Sequence, residues 1–298
     1  MMKFMYLMLG ILFISPGYGQ QKPDTLSGID MTIIAQVNQG SSYITFPTDM
    51  GNIEPLWFEG NLIPNFYIRQ SANSRLMGVL TPQIIIRMYQ EESYPVRTPS
   101  YMPQITVYYF LKEYPKLGSV SVFGRLAHHS NGQENDFFLD DGSINLLSGN
   151  FATNYIEGGF ISTRVCTRFN AHQFFKSSFE WHPESAVSPE LEGIYSRYRW
   201  HNSFSIFKLP AVQNSSKHQR PAFSVKGELS WMFGKYNSLD AFSTERVNLR
   251  LTLYYHPNFL EDIGLFVQYY HGSDYYNMYF DHRLDVVRFG FMTEKLRF

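Results

Sequence analysis

The chain has 298 residues, of which 17% are aromatic and only 17% are charged, and its net charge is −1. The aromatic content excludes a disordered chain, and the near-neutral charge gives no reason to expect nucleic-acid binding. The mean hydropathy of −0.24, with no internal apolar stretch of about 18 residues, excludes a bundle of membrane helices. The composition therefore favours a large all-β protein, either a soluble sandwich or a membrane barrel.

The beginning of the chain has the pattern of a signal peptide. Residues 1–19 contain a positive Lys3, an apolar core and small residues just before Gln20, as expected for export and cleavage. The pattern predicts that residues 20–298 form a single exported domain. The only cysteine, Cys166, excludes an internal disulfide.

Beyond residue 30 the chain divides into short segments in which apolar and polar residues alternate. A period of two is typical of β-strands with one apolar and one wetter face. We expect twelve strands, near residues 31–37, 61–70, 75–89, 103–112, 119–130, 154–168, 173–182, 193–207, 221–235, 245–255, 262–271 and 286–298. An even number of strands is typical of single-chain bacterial outer-membrane barrels.

The aromatic residues favour a membrane barrel over a soluble sandwich. Tyrosines cluster near the ends of the predicted strands, as at Tyr89, Tyr94, Tyr254 and Tyr255, and Phe298 ends the last predicted strand. Aromatic girdles mark both membrane interfaces of outer-membrane barrels. The prediction is a transmembrane antiparallel β-barrel of about 12 strands in the bacterial outer membrane.

Two polar side chains interrupt the apolar face of the predicted strand 119–130. His128 and Ser130 share that face with apolar residues such as Val122, whereas His129 points to the opposite face. An imidazole and a hydroxyl two residues apart on a strand stand side by side, which suits a general base and a serine nucleophile. The plainer alternative is a pair of polar residues at the rim of the barrel.

The same segment resembles the outer-membrane phospholipase A family. Residues 128–132 read His-His-Ser-Asn-Gly and are similar to the family motif His-x-Ser-Asn-Gly. Residues 91–104 resemble a second motif, Glu-Glu-Ser…Pro-x-Arg…Tyr-x-Pro-Gln, and residues 268–274 are a weaker third match. The resemblance implies a twelve-stranded barrel that hydrolyses the acyl esters of phospholipids with a Ser-His-Asn triad on its membrane-facing surface.

The resemblance also implies a role for each residue of the motif. Ser130 matches the nucleophile, His128 the base, and Gly132 the residue whose backbone N–H helps to hold the oxyanion. The third member of the triad would be an asparagine on the following strand. Asn154 is the best candidate, because it lies on the more apolar face of its strand, and Asn150 is the second.

Calcium and a second subunit are further implications of the resemblance. The family's calcium ligands match the backbone carbonyl of Gln133, the side chain of Asn150 and Ser93. In the family, the partner subunit supplies this serine. Gln83 would be the equivalent of a polar residue that helps to pair the subunits; the alternative is a kink next to Pro82. Four acidic residues lie between the predicted strands 119–130 and 154–168: Glu134, Asp136, Asp140 and Asp141. They add possible oxygen ligands for calcium or form a solvated loop.

Two other functions remain as alternatives. A lipid A deacylase also resembles this pattern, since it has a His-x-Ser pair on the outer face of a smaller barrel, with a glutamate as third member. A non-catalytic porin or transport barrel would instead depend on predicted lumen charges such as Arg125, Lys226, Glu228 and Arg250. Of the three, the phospholipase alone explains the second motif.

Overall fold

The computed structural model describes residues 29–71, 74–114, 117–210, 220–293 and 295–298. The predicted signal peptide lies outside these residues. None of the described helices is long and apolar enough to cross a membrane.

Twelve antiparallel strands form a closed barrel. The first strand, β1, has two parts, Tyr43–Thr45 and Met50–Gly51, and both pair with the last strand, which closes the barrel. The second, β2, also has two parts, Leu56–Leu62 and Phe66–Ile68, and both pair with β3. The other strands follow in order: β3 Leu76–Tyr89, β4 Ser100–Tyr114, β5 Gly118–Ser130, β6 Ala152–Cys166, β7 Ala171–Trp181, β8 Tyr198–Lys208, β9 Phe223–Phe233, β10 Val247–Tyr255, β11 Ile263–Ser273 and β12 Arg283–Thr293.

The strands alternate between an apolar outer face and a buried inner face. In β5, for example, Leu126 is exposed on the outer face, whereas Phe123 and Ala127 are buried on the inner face. Exposed Val107, on β4, pairs with Gly124 of β5 on the same outer wall. This alternation is that of a barrel with lipid outside, and it confirms the predicted fold class.

The prediction of a strand at residues 31–37 is wrong, because these residues belong to helix α1, Met31–Gln39. The Asp30 side chain accepts a hydrogen bond from the Ile33 amide at 2.8 Å and caps the helix. Gly40 ends it with a φ of +83°, which glycine adopts without strain. A short apolar run does not distinguish a buried helix from a strand, and the two divided strands β1 and β2 keep the total at twelve.

Helix α1 lies inside the barrel, at the end where short turns join the strands. Its buried side chains, including Met31 and Ile34, pack against Met77, Tyr108 and other inward-facing residues of the wall. The chain end joins this cluster, and the Phe298 ring stacks on His172 with centroids 4.6 Å apart. Phe298 therefore does not end the last strand as predicted, since β12 stops at Thr293.

Buried ion pairs occupy the lumen beyond the helix. Arg87 binds Glu59 at 2.7 Å and Asp274 at 2.6 Å, and Arg288 binds the same glutamate at 2.7 Å. Each charge offsets the desolvation cost of its partner, because an unpaired charge buried here would be strongly destabilising. The helix and these side chains together fill much of the barrel interior.

Gln83 faces this interior and not the lipid. Its amide nitrogen donates to Asn61 at 3.0 Å, and its amide oxygen accepts from Gln104 at 3.1 Å. The prediction that Gln83 helps to pair two subunits through the membrane is therefore wrong. Three isoleucines follow Gln83 directly, so the local pattern has too little alternation to show which face is which.

Long loops cover the opposite end of the barrel. Residues 131–151, 182–197 and 274–282 connect β5 to β6, β7 to β8 and β11 to β12. They meet in an apolar cluster that comprises Phe137, Phe151, Leu191, Tyr195, Met278 and Phe280. This cluster supports the end of β5 and the start of β6, where the candidate site lies.

Candidate active site

His128 and Asn154 face each other across adjacent strands on the outer wall. They are register partners in the β5–β6 pair, and His128 Nδ1 lies 2.9 Å from Asn154 Oδ1. An amide oxygen carries no hydrogen, so Nδ1–H donates and the proton-accepting nitrogen is Nε2. The imidazole is thus held in the tautomer that a general base requires.

The Asn154 amide is held from its other end as well. Its Nδ2 donates to the backbone carbonyl of Ala186 at 2.9 Å. This second bond orients the amide so that Oδ1 is directed at His128. Asn150 does not make this contact: it is exposed, and its backbone N–H donates to the Asn135 carbonyl at 2.9 Å.

Ser130 is the last residue of β5 and lies on the same outer face as His128. The two residues are separated by one inward-facing residue, His129, so their side chains are neighbours along the strand. Ser130 is half-buried and pairs with Ala152 on one side and Tyr101 on the other. The structure therefore places all three residues on one outer face of the barrel: His128 contacts Asn154, and Ser130 lies two residues further along β5.

The turn after Ser130 is organised by Asn131, a residue whose role the sequence analysis missed. Asn131 is buried, and its Nδ2 donates to the Gly149 carbonyl at 2.7 Å. Its Oδ1 accepts from the backbone N–H groups of Phe151 at 3.0 Å and Gln133 at 3.3 Å. Asparagine before glycine is a turn signal, but the partners Gly149 and Phe151 lie 18 and 20 residues away in the chain.

Gly132 lies in this turn with a φ of +69°. A left-handed conformation is open to glycine and disfavoured for most other residues. Gly132 is exposed and directly follows the residue that joins the two ends of the loop. Gly132 therefore lies in an exposed turn directly after the end of β5.

The segments that carry two of the predicted calcium ligands meet around Asn131. Because one Asn131 oxygen binds the amides of Gln133 and Phe151, the Gln133 backbone lies next to the segment that contains Asn150. Both predicted donors are oxygen atoms, which suits a hard cation such as calcium. The third, Ser93, is exposed in the loop between β3 and β4 at the same end of the barrel.

The acidic residues of the loop do not add a cluster to this site. Glu134, Asp136, Asp140 and Asp141 are exposed. Hydrogen bonds from the Ser143 hydroxyl and amide lower the pKa of Asp141, which caps its own turn. Within the described residues no group of three or more His, Cys, Asp or Glu side chains is arranged to hold a metal.

Comparisons with solved structures agree with this architecture. Outer membrane phospholipase A from Escherichia coli matches with a TM-score of 0.59 and 12% identity, over 90% of this chain and 99% of that one. The outer membrane phospholipase dimer of Salmonella typhi with bound calcium matches with a TM-score of 0.56 and 12% identity, over 86% and 91%. No protein-family model and no curated protein sequence matches the chain. The chain thus has the fold of these phospholipase barrels.

Proposed function

We propose that this protein is an outer-membrane phospholipase that hydrolyses acyl ester bonds of glycerophospholipids. One observation carries the proposal: the hydrogen bond between His128 and Asn154 on the outer wall, beside Ser130. A serine, an imidazole and a group that orients the imidazole are the parts of a nucleophilic hydrolase. An outward-facing site suits a substrate that lies in the bilayer.

Each residue has a defined step in the proposed reaction. Ser130 Oγ attacks the acyl carbonyl while His128 Nε2 takes its proton, and His128 then gives that proton to the lysophospholipid oxygen as the ester bond breaks. Water, activated by the same imidazole, hydrolyses the acyl-serine and releases the fatty acid. Asn154 keeps the imidazole in register, and the Gly132 N–H donates to the oxyanion.

Calcium is part of the proposal. Bound beside Gly132, it would supply positive charge near the oxyanion. In this chain the Gln133 carbonyl and the Asn150 amide oxygen are the donors, and Ser93 would come from a second copy. We therefore propose that the active form is a homodimer, as the Salmonella typhi neighbour is. Removal of calcium with a chelator should abolish the activity of the purified protein.

The rival functions are distinguished by their sites. A lipid A deacylase would need a glutamate beside the histidine, but Asn154 occupies that position and Glu157 faces the lumen, bound to Arg125 at 2.8 Å. A porin would need an open lumen, but helix α1 and the buried ion pairs occupy it. Phospholipid and lipid A, supplied in parallel to the same preparation, separate the two hydrolases.

The direct test is fatty-acid release from phospholipid by the detergent-solubilised protein with calcium. Ser130→Ala should lower kcat by at least about 10³-fold, because the nucleophile is lost. Ser121→Ala, which removes a lumen-facing hydroxyl from the same strand, is the matched control and should retain activity. Full activity in Ser130→Ala would contradict the mechanism.

A further inference from the structure

The wall that carries the candidate triad has a second set of contacts on its lumen side. His128 and Asn154 are partners on the outer face, and the next pair in the same register, His129 and Thr153, faces inward. Thr153 is fully buried. It is the second residue of β6, near a strand end, where strands lack the full set of neighbours that holds their middle.

The Thr153 hydroxyl is bound to a chain of buried side chains. Its Oγ1 lies 2.7 Å from His182 Nδ1, and His182 Nε2 lies 2.8 Å from Glu180 Oε1. Glu180 is also paired with Arg199 at 3.2 Å. A carboxylate accepts, so His182 Nε2–H donates to Glu180 and the Thr153 hydroxyl donates to Nδ1. Burial lowers the pKa of His182, which favours this neutral imidazole.

The chain that follows His182 crosses to the outer side of β6. The Ala186 carbonyl accepts from Asn154 Nδ2 at 2.9 Å. Val187 forms a bridge with Thr153, and the Ser188 N–H donates to the Ala152 carbonyl at 3.0 Å. Residues 182–188 thus contact β6 from the lumen, along its backbone and at the outer Asn154 side chain.

We propose that residues 182–188 form a clamp that positions Asn154 for catalysis, with Thr153 and His182 as positioning residues that never touch the substrate. The proposal rests on the proposed function of the outer site. Neighbouring residues of a strand point to opposite faces. A twist of β6 that displaces Thr153 on the inner face therefore also displaces Asn154 on the outer face. The buried Thr153–His182 bond resists that twist and keeps Asn154 Oδ1 in reach of His128.

Thr153→Val tests the clamp, because valine keeps the shape and removes the hydroxyl. We expect kcat for phospholipid to fall about 10-fold, since small displacements of an orienting group have large effects on rate. KM should stay unchanged, because Thr153 faces away from the lipid. Thr153→Ser restores the hydroxyl and should restore most of kcat, which a loss of packing alone would not predict.

Thr163→Val is the matched control. Thr163 lies on the same strand, is buried on the same inner face, and bonds to the Ser119 hydroxyl at 2.9 Å. It is ten residues, or about 33 Å, from Thr153, so its loss should leave kcat unchanged. Equal kcat values for Thr153→Val and Thr163→Val would overturn the clamp, and so would a loss in Thr153→Val that serine fails to restore.

The two proposals fail in different ways. If Ser130→Ala keeps full activity, the proposed function is wrong whatever Thr153→Val does. If Ser130→Ala is inactive and Thr153→Val is fully active, the outer site stands and the clamp is wrong.

Discussion

At the scale of single residues, the orientation of one imidazole decides what the outer wall is able to do. His128 would be an ordinary rim residue if its Nδ1 faced water. The contact with Asn154 at 2.9 Å instead assigns Nδ1 as the donor and makes Nε2 the basic nitrogen of the ring. A neutral asparagine orients the ring without adding a charge to a surface that faces lipid, where a carboxylate is costly.

The first prediction ranks the two candidate asparagines at saturating calcium. Asn154→Ala should lower kcat by about 10- to 100-fold, because the imidazole loses the acceptor that fixes its tautomer. Asn150→Ala should have a much smaller effect on kcat under the same conditions and raise the calcium concentration needed for half-maximal activity. Steady-state kinetics of both variants across a calcium titration make the comparison, and the reverse ranking would refute the assignment of Asn154.

At the scale of elements, loops determine how the strand ends are held. The loop between β5 and β6 is joined at its base by Asn131, whose side chain bonds to three backbone groups of residues 133, 149 and 151. The loop also places Phe137 and Phe151 in the apolar cluster that caps the barrel. Gly132, Gln133 and the end of β5 therefore keep a defined geometry.

The second prediction concerns this joint. Asn131→Ala leaves buried backbone groups without partners, at a cost of about 1–3 kcal/mol for each. The loop at residues 133–150 should become sensitive to limited proteolysis while the barrel stays intact on a heat-modifiability gel. Asn135→Ala is the control, because the described contacts of Asn135 involve its backbone. Equal resistance of the two variants would show that Asn131 does not hold the loop.

At the scale of the whole molecule, the lumen of the barrel holds a helix and buried ion pairs. Helix α1 occupies the end with the short turns, and Arg125 Nη2 donates to Gln39 of the helix at 3.1 Å. Arg87, Glu59 and Arg288 lie in the lumen beyond the helix. The proposed site therefore lies on the outer wall and not in the lumen.

The third prediction tests the filled lumen in planar bilayers. The native protein should show little ion conductance. Ile34→Asp, which puts a carboxylate in the fully buried core of the helix contact, should displace the helix and raise the conductance, because the buried charge is unpaired. Gln36→Ala, on the half-buried side of the same helix, should behave like the native protein. Large native conductance would contradict a filled barrel and favour the porin alternative.

The sequence by itself determined the features that depend on short-range alternation. The period of two identified eleven of the twelve strands. It also placed His128, Ser130 and Asn154 on the outer face, because the direction of a side chain in a strand depends only on its position along it. The same rule separated His129 and Glu157 from the site. The aromatic residues near the strand ends then favoured a membrane barrel over a soluble sandwich.

Only the tertiary structure decided which distant segments meet. Residues 31–37 form a helix whose apolar side chains are buried in the lumen, against a wall built from other strands. The local sequence pattern does not contain that information. Gln83 turned out to face inward because its partners Asn61 and Gln104 do. The Thr153–His182 contact joins residues 29 positions apart. Contacts of this kind depend on where loops fold in space, and no short window of sequence specifies them.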